Sequence, residues 1–246
     1  MSRGLICLVA VVATSAELPP CSNRTYCSAA LQAANWIIAV AEPAPNGVGI
    51  YWPGDLIGQN RDANYNRTFD LYSGVAGTVV FLLEAYAAGG NASHLAAAAA
   101  AGAYLASAAA AVIASNSSTG LYHGGAAGMA FALNVLDQRT NGSNPNLAEA
   151  YAALLAYVQA SAVPADGGDS LSPLPGLRWG TAGIGMFLLQ QYAAAPESRA
   201  PLLDLAAAAG TYLVASGSPT PGGGLKWPTG FGGAESEWGW VAAVVP

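Results

Sequence analysis

The apolar positions of this chain gather into long, alanine-rich runs that short loops of Gly, Pro and Asn interrupt. Alanine is the strongest helix former, and Gly and Pro punctuate secondary structure, so each run predicts a helix. Four long helices are predicted at roughly 28–42, 92–114, 146–161 and 199–216. The runs lack the alternation of apolar and polar residues that is typical of half-buried strands. The pattern therefore predicts an all-α fold.

Shorter apolar runs lie between the long ones, and each follows a pair of glycines. The pairs are Gly74 with Gly77, Gly125 with Gly128, and Gly180 with Gly183. The first glycines of these pairs are 51 and 55 residues apart. A repeat near 50 residues indicates a stack of helical hairpins. We expect an inner helix to begin at each pair, with the glycines allowing neighbouring inner helices to approach closely.

A second repeat joins the two ends of the chain. Residues 33–53 align on residues 208–228 without a gap, at a constant offset of 175. Each copy contains an Ala-rich helix, a Pro/Gly loop, an aromatic residue and a Trp-Pro dipeptide. The alignment predicts that both copies are the same structural unit, an outer helix followed by a loop.

The segments 70–77, 120–124 with Gly128, 180–185 and 224–228 resemble the lanthionine synthetase C-like family. The resemblance covers roughly residues 28–232 and implies an α/α toroid, in which inner and outer layers of helices surround a central cleft. The glycine-led helices are too few to close such a ring, so we expect a partial, open ring. Its open edge is then a surface for self-association, and the apolar residues expected beside it are Ile37, Ile38, Leu202, Leu203 and Leu213.

The resemblance also implies a zinc-dependent peptide cyclase, whose zinc is held by two Cys and one His in Trp-Cys-x-Gly and Cys-His-Gly contexts. In the motif of this chain that resembles Trp-Cys-x-Gly, Trp179 is followed by Gly180 instead of Cys. The chain has no Cys after Cys27. We therefore expect no metal site, no bound zinc and no zinc-dependent cyclase activity.

Two residues are candidates for catalysis. His123 precedes a glycine pair at the start of an inner helix, and a His-Gly of this form acts in the family as an acid/base or as a neighbour of zinc. Its alternative role is to cap the helix. Asp70 precedes the first glycine motif, where an acid also interacts favourably with the helix dipole.

Two functions remain open. In the first, the chain binds a peptide or glycan in the cleft, and the loop tryptophans Trp52, Trp179 and Trp227 rim that cleft. The alternative role of these tryptophans is to pack the loops onto the toroid. In the second, the chain is a six-hairpin glycosidase, which needs a pair of carboxylates. The loop acids available for such a pair are Asp55, Asp62, Asp70, Asp169, Glu235 and Glu237.

Residues 1–16 are typical of a signal peptide, with Arg3 before an apolar run and Ala16 at a small-residue cleavage site. Residues 17–27 then form an N-terminal segment, and residues 28–246 form the toroid domain. Glycosylation sequons agree with secretion; they lie at Asn23, Asn66, Asn91, Asn116 and Asn141. In an oxidising compartment Cys21 and Cys27 are expected to form a disulfide, the alternative being half of a metal site.

The composition and charge of the chain limit the classes of partner that it is expected to bind. The chain of 246 residues is 53% hydrophobic and 9% charged, with a formal net charge of −6. So few basic residues argue against nucleic-acid binding. Residues 95–115 carry no charge for a length that could cross a bilayer, but they are mostly alanine and two sequons flank them. We expect a closely packed helix there rather than a membrane span.

Overall fold

The computed structural model describes residues 24–53 and 69–227. In these two ranges the chain forms seven helices: α1 (Arg24–Ala39), α2 (Val75–Gly89), α3 (Ala92–Ala114), α4 (Ala126–Arg139), α5 (Pro145–Ala160), α6 (Thr181–Ala194) and α7 (Ala200–Ser216). The long helices α3, α5 and α7 match the predicted bounds to within a residue, whereas α1 begins four residues early. The all-α prediction is confirmed.

Three small antiparallel strand pairs were not predicted. They are β1 (Glu42–Pro43) with β2 (Ile50–Tyr51), β3 (Val163–Ala165) with β4 (Gly168–Ser170), and β5 (Ser218–Pro219) with β6 (Leu225–Lys226). Each pair follows one of the helices α1, α5 and α7. Strands of two or three residues are too short to produce a visible alternation of apolar and polar positions.

The helices pack in two layers. Helices α2, α4 and α6 contact one another in sequence order and form the inner row, while α3 contacts α5 in the outer row. Each inner helix also packs against the outer helix that follows it. The buried side chains between the rows include Leu82, Leu105, Leu133 and Phe187. Two layers of hairpins are the local arrangement of an α/α toroid; the ring itself stays a prediction.

The glycine pairs have a structural role that differs from the expected one. Gly74, Gly125 and Gly180 are the N-caps of α2, α4 and α6. The second glycine of each pair lies against a leucine carbonyl oxygen in its own loop, so that a Cβ would overlap it; the pairs are Gly77 with Leu71, Gly128 with Leu121 and Gly183 with Leu177. The glycines are therefore required mainly by the folding of each loop onto its own helix. The preceding loop contributes only a leucine side chain, Leu71 at Gly128 and Leu121 at Gly183.

Helix α3 passes the length and apolarity test for a membrane span, and half of its most apolar stretch is buried inside the protein. It contacts α1, α2, α4 and α5. At Gly102 a Cβ would overlap the side chain of Leu136, so α3 and α4 approach closely at this point. This packing agrees with the small-residue helix predicted from the sequence.

The constant offset of 175 between the two ends of the chain is wrong for the helical part. The indole N–H of Trp52 donates to the Ile37 carbonyl at 2.8 Å, and that of Trp227 donates to the Leu213 carbonyl at 2.7 Å. These equivalent bonds place the helices at an offset of 176 and the tryptophans at 175. The second loop is therefore one residue shorter, and no gapless alignment could show this.

Some of the predicted residues lie outside the part of the chain that the structure describes, and others lie inside it. Residues 1–16, Cys21, Asn23, Asn66 and the acids Asp55, Asp62, Glu235 and Glu237 lie outside the described residues. Cys27 is disulfide-bonded, and its pairing with Cys21 stays a prediction. The sequon residues Asn91, Asn116 and Asn141 are exposed at helix ends or turns.

Exposed apolar side chains are present at both ends of the described array. Trp36 on α1 is 56% exposed and Val214 on α7 is 57% exposed. Leu203 is also exposed, but Leu202, which was predicted beside the same edge, is buried in the core, so the prediction is wrong for Leu202. Self-association through these surfaces stays a prediction.

Candidate functional site

Three equivalent loops lie side by side where the inner helices begin. Their sequences are Asp-Leu-Tyr-Ser-Gly at 70–74, Gly-Leu-Tyr-His-Gly at 120–124 and Gly-Leu-Arg-Trp-Gly at 176–180. The Tyr72 N–H donates to the Tyr122 carbonyl at 3.0 Å, and the Tyr122 N–H donates to the Arg178 carbonyl at 3.2 Å. These bonds join the loops in register, so that side chains from three repeats meet.

The second loop has one further residue, Gly125, before its helix begins. It contains Gly124 and Gly125, whose φ angles of 79° and 54° lie in the left-handed region that favours glycine. The backbone N–H of His123 donates to the Arg178 carbonyl at 3.1 Å. The backbone of His123 is thus hydrogen-bonded to the third loop, and the two glycines that follow it connect this loop to α4.

Asp70 and His123 form a buried pair. The Nδ1 atom of His123 lies 3.0 Å from Oδ2 of Asp70, and the two side chains are 2% and 1% exposed, respectively. The other carboxylate oxygen of Asp70 accepts hydrogen bonds from the Ser73 N–H at 2.7 Å and from the Ser73 hydroxyl at 3.2 Å. Both carboxylate oxygens are therefore satisfied, as a buried charge requires.

The contact with Arg178 indicates which ring nitrogen of His123 carries the proton. Its guanidinium nitrogen lies 2.6 Å from Nε2 of the imidazole. Because a guanidinium only donates hydrogen bonds, Nε2 must accept and the remaining ring proton must lie on Nδ1. His123 is thus neutral, with its Nδ1–H donating to Asp70.

Two aromatic rings enclose this polar chain. The Trp179 ring stacks on the His123 ring, with centroids 4.9 Å apart and an angle of 19°, and the Tyr72 ring lies 4.7 Å from it. The guanidinium of Arg178 lies 4.2 Å from the Tyr72 ring centroid and 4.6 Å from that of Trp179. Tyr72 and Arg178 are exposed, so they form the outer surface of a site whose Asp70–His123 pair is buried.

Two cavities adjoin the loops. One, of about 320 Å³, is bounded by Asp70 and by apolar side chains that include Phe69, Val112 and Met129. The other, of about 310 Å³, lies along the inner row and is bounded by side chains that include Val80, Phe81 and Phe131. A ligand at the loop mouth therefore has an apolar surface beside it.

The residues at this site do not fit zinc. In the described ranges, no group of three or more His, Cys, Asp or Glu side chains is placed to hold a metal ion. His123 uses Nδ1 for Asp70, and the cationic guanidinium at Nε2 would repel a metal ion at the second nitrogen. The chemistry of these side chains is proton transfer and hydrogen bonding.

The structure separates the predicted site residues into two groups. It brings together Asp70, His123 and Trp179. The indole N–H groups of Trp52 and Trp227 donate to carbonyls near the ends of α1 and α7, which agrees with the loop-packing alternative. Sequence reasoning missed Arg178, although it is the third residue of its loop and the equivalent positions of the other loops are tyrosines.

The other histidine of the chain lies elsewhere. His94, in α3, is 1% exposed, and its Nε2 lies 3.0 Å from the amide oxygen of Asn35 in α1. Its Nδ1 is buried and has no hydrogen-bond partner among the described residues. His94 thus belongs to the contact between two helices and not to the loop site.

Repeated hairpins whose inner helices begin at paired glycines define an α/α-hairpin protein with a site at the loop mouth. The family model described as "Lanthionine synthetase C-like protein" matches residues 66–216, more than half of the sequence, and the chain belongs to this family. The comparisons with curated proteins and with solved structures found no match.

Proposed function

We propose that this protein binds a peptide at the mouth of the inner helices and that His123 exchanges a proton with the bound peptide. The observation that carries the proposal is the buried Asp70–His123 pair at 3.0 Å. A carboxylate that holds the Nδ1–H of a histidine fixes its tautomer and stabilises the imidazolium that forms when Nε2 takes a proton. Asp70 is therefore a positioning residue for His123.

The surroundings of the pair favour a peptide. Arg178 and Tyr72 present a cation and an aromatic face to solvent, and both residue types are enriched where proteins bind other chains. The apolar cavity beside Phe81 and Phe131 offers room for a side chain. The proposed ligand thus lies across the three loops and continues onto the inner row.

A glycosidase receives less support from the same residues. Such an enzyme needs one carboxyl group as a general acid and a second as nucleophile or base. Asp70 is 1% exposed and its oxygens accept hydrogen bonds from Ser73 and His123, so its carboxyl group is not placed to contact a bound sugar. The carboxylate pair would therefore need Asp169, which lies in β4, or acids outside the described residues.

The cellular setting belongs to the proposal too. We propose a secreted glycoprotein that lacks zinc-dependent cyclase activity. Exposure of Asn91, Asn116 and Asn141 supports the glycosylation, and the disulfide of Cys27 supports an oxidising compartment. Mass spectrometry of the secreted chain tests the mature N-terminus and the glycans, and elemental analysis tests for zinc; one zinc per chain would contradict the proposal.

Binding is tested by screening the mature, full-length chain against a peptide library and a glycan array. We expect peptide binding that Tyr72→Ala weakens about tenfold, since an exposed aromatic at a binding centre typically contributes more than 1 kcal/mol. Trp36→Ala removes another exposed aromatic, far along the chain on α1, and is the matched control. Absence of peptide binding, or equal effects of the two variants, would contradict the proposal. Glycan binding alone would favour the alternative.

A further inference from the structure

The guanidinium of Arg178 carries a positive charge at the loop mouth that no described acid neutralises directly. Among the described residues no carboxylate oxygen lies within 4.0 Å of it. Asp70 bonds the opposite nitrogen of the His123 ring, so the imidazole lies between the carboxylate and the guanidinium. The side chain of Arg178 is exposed. A ligand that reaches the loop mouth therefore meets an accessible cation.

Most hydrogen-bond donors of this guanidinium are unused. A guanidinium has five N–H groups in a planar fork. Its hydrogen bond to a described side chain joins one terminal nitrogen to Nε2 of His123. A carboxylate matches the fork of the remaining N–H groups with two parallel hydrogen bonds. Binding of a carboxylate therefore does not require Arg178 to give up its contact with the imidazole.

The position of the guanidinium is restricted before any ligand binds. Its central carbon lies 4.2 Å from the Tyr72 ring centroid and 4.6 Å from the Trp179 ring centroid, and its hydrogen bond to His123 adds a third contact. A long side chain normally loses rotamer freedom when it binds a ligand, which lowers the affinity. Because these contacts already restrict Arg178, that loss is reduced.

We propose that Arg178 is the residue that selects the ligand, and that it selects peptides carrying a carboxylate, which accepts two hydrogen bonds from the unused N–H groups. This inference rests on the proposed peptide-binding function and names its ligand class. The carboxylate belongs to an acidic side chain or to the free C-terminus of the peptide. The inference assigns no new role to His123.

The affinity test uses three N-acetylated hexapeptides of otherwise identical sequence. The first contains one Glu and a C-terminal amide, the second has Gln in its place, and the third is the Gln peptide with a free C-terminus. We expect one or both carboxylate peptides to bind the mature chain about tenfold more tightly than the neutral peptide in calorimetry, because hydrogen bonds between charged groups are about twice as strong as neutral ones. The first and third peptides separate a side-chain carboxylate from a C-terminal one.

Two variants connect this preference to one residue. Arg178→Gln is expected to bring the carboxylate peptides to the affinity of the neutral peptide and to leave the neutral peptide bound. Arg139→Gln removes the same charge from an exposed pair with Glu84, 3.6 Å apart, and is expected to keep the preference. A preference that survives Arg178→Gln, or that Arg139→Gln also removes, would overturn the inference. Loss of the neutral peptide in Arg178→Gln would also overturn it, since Arg178 would then shape the mouth instead of selecting the ligand.

A third variant separates the planar fork from the charge alone. Arg178→Lys keeps the charge, but an ammonium group cannot offer two parallel hydrogen bonds in a fixed plane. This variant is expected to lose most of the preference for a carboxylate. An unchanged preference would mean that charge alone attracts the ligand, and would overturn the assignment of two parallel bonds.

The same peptides keep the inference and the proposed function apart. Equal affinities of the three peptides for the unsubstituted chain would overturn the inference while peptide binding stands. Failure of all three peptides to bind would instead overturn the proposed function.

Discussion

His94 and His123 are both almost completely buried, but the side chains that surround their rings differ. His94 is inside a helix, bonds one amide oxygen of Asn35 across a helix–helix contact, and leaves its Nδ1 unpaired among the described residues. His123 lies before a helix, and both its ring nitrogens contact charged side chains, those of Asp70 and Arg178. Burial alone therefore does not distinguish these two histidines, whereas their hydrogen-bond partners do.

The difference comes from the elements that supply the partners. A residue inside a helix is surrounded by apolar side chains of neighbouring helices, so at most one polar partner reaches His94. The loop mouth collects the starts of three inner helices, and each loop contributes a different polar side chain. A functional site in this fold is thus expected where repeats meet end to end, rather than within their layers.

Replacing each histidine by leucine tests this comparison with the largest expected effect. His123→Leu leaves the buried carboxylate of Asp70 without its partner and is expected to cost about 3 kcal/mol of unfolding free energy. His94→Leu loses one bond but also removes an unpaired buried nitrogen, so the change is expected to stay within about 1 kcal/mol. Urea denaturation measures both, and an equal or larger cost for His94→Leu would break the comparison.

Two glycine substitutions compare the backbone packing of the loop mouth with that of an outer helix. In Gly183→Ala the new Cβ overlaps the Leu177 carbonyl oxygen, and a cost of about 1–3 kcal/mol is expected because the loop must shift. Gly210→Ala on α7 meets no atom within 4 Å, and the better helix propensity is expected to add about 0.5–1 kcal/mol. Thermal unfolding of both variants gives the signs. A neutral Gly183→Ala would show that the loop is not closely packed on α6.

A double-mutant cycle measures how strongly each histidine depends on its partner. The cycle of Asp70→Leu with His123→Leu is expected to give a coupling of about 1–2 kcal/mol, because each single change strands a buried group. The cycle of Asn35→Ala with His94→Leu is expected to give less than about 0.5 kcal/mol, since Asn35 lies at the surface and water replaces the lost bond. Similar couplings would mean that the two pairs are equivalent.

The last prediction concerns the tautomers of the two histidines in the unsubstituted protein. The hydrogen bonds place the neutral ring proton on Nδ1 in His123 and on Nε2 in His94. Long-range ¹H–¹⁵N correlation spectra at neutral pH are expected to show these two different tautomers, with His94→Leu providing the assignment. The same tautomer in both rings would contradict the Arg178 contact or the Asn35 contact.

The amino-acid sequence by itself determined the helices and where the inner ones begin. Alanine-rich runs favour helix residue by residue, so α3 could be predicted at its observed bounds, Ala92–Ala114. The glycines at the starts of the inner helices are local requirements as well, because Gly77 in α2 contacts the Leu71 carbonyl of the loop that directly precedes this helix. Such short-range effects leave their mark at fixed positions in every repeat.

The strand pairs and the exact loop lengths could not be predicted from the sequence. The strand pairs are held by two or three residue pairs, too few for a periodic pattern, and the one-residue difference between the Trp52 and Trp227 loops became visible only through equivalent hydrogen bonds to α1 and α7. Both features lie in loops, where length varies without disturbing the helices that the loops connect.

Only the tertiary structure decided which residues form the site. Asp70, His123 and Arg178 stand at the first, fourth and third positions of their loops, so no single motif contains them, and they are 53 and 55 residues apart along the chain. Backbone hydrogen bonds from Tyr72 to Tyr122 and from Tyr122 to Arg178 bring the loops into register. The contacts between side chains of three repeats follow from that register, because a hydrogen bond needs atoms within about 3 Å and sequence distance carries no such information.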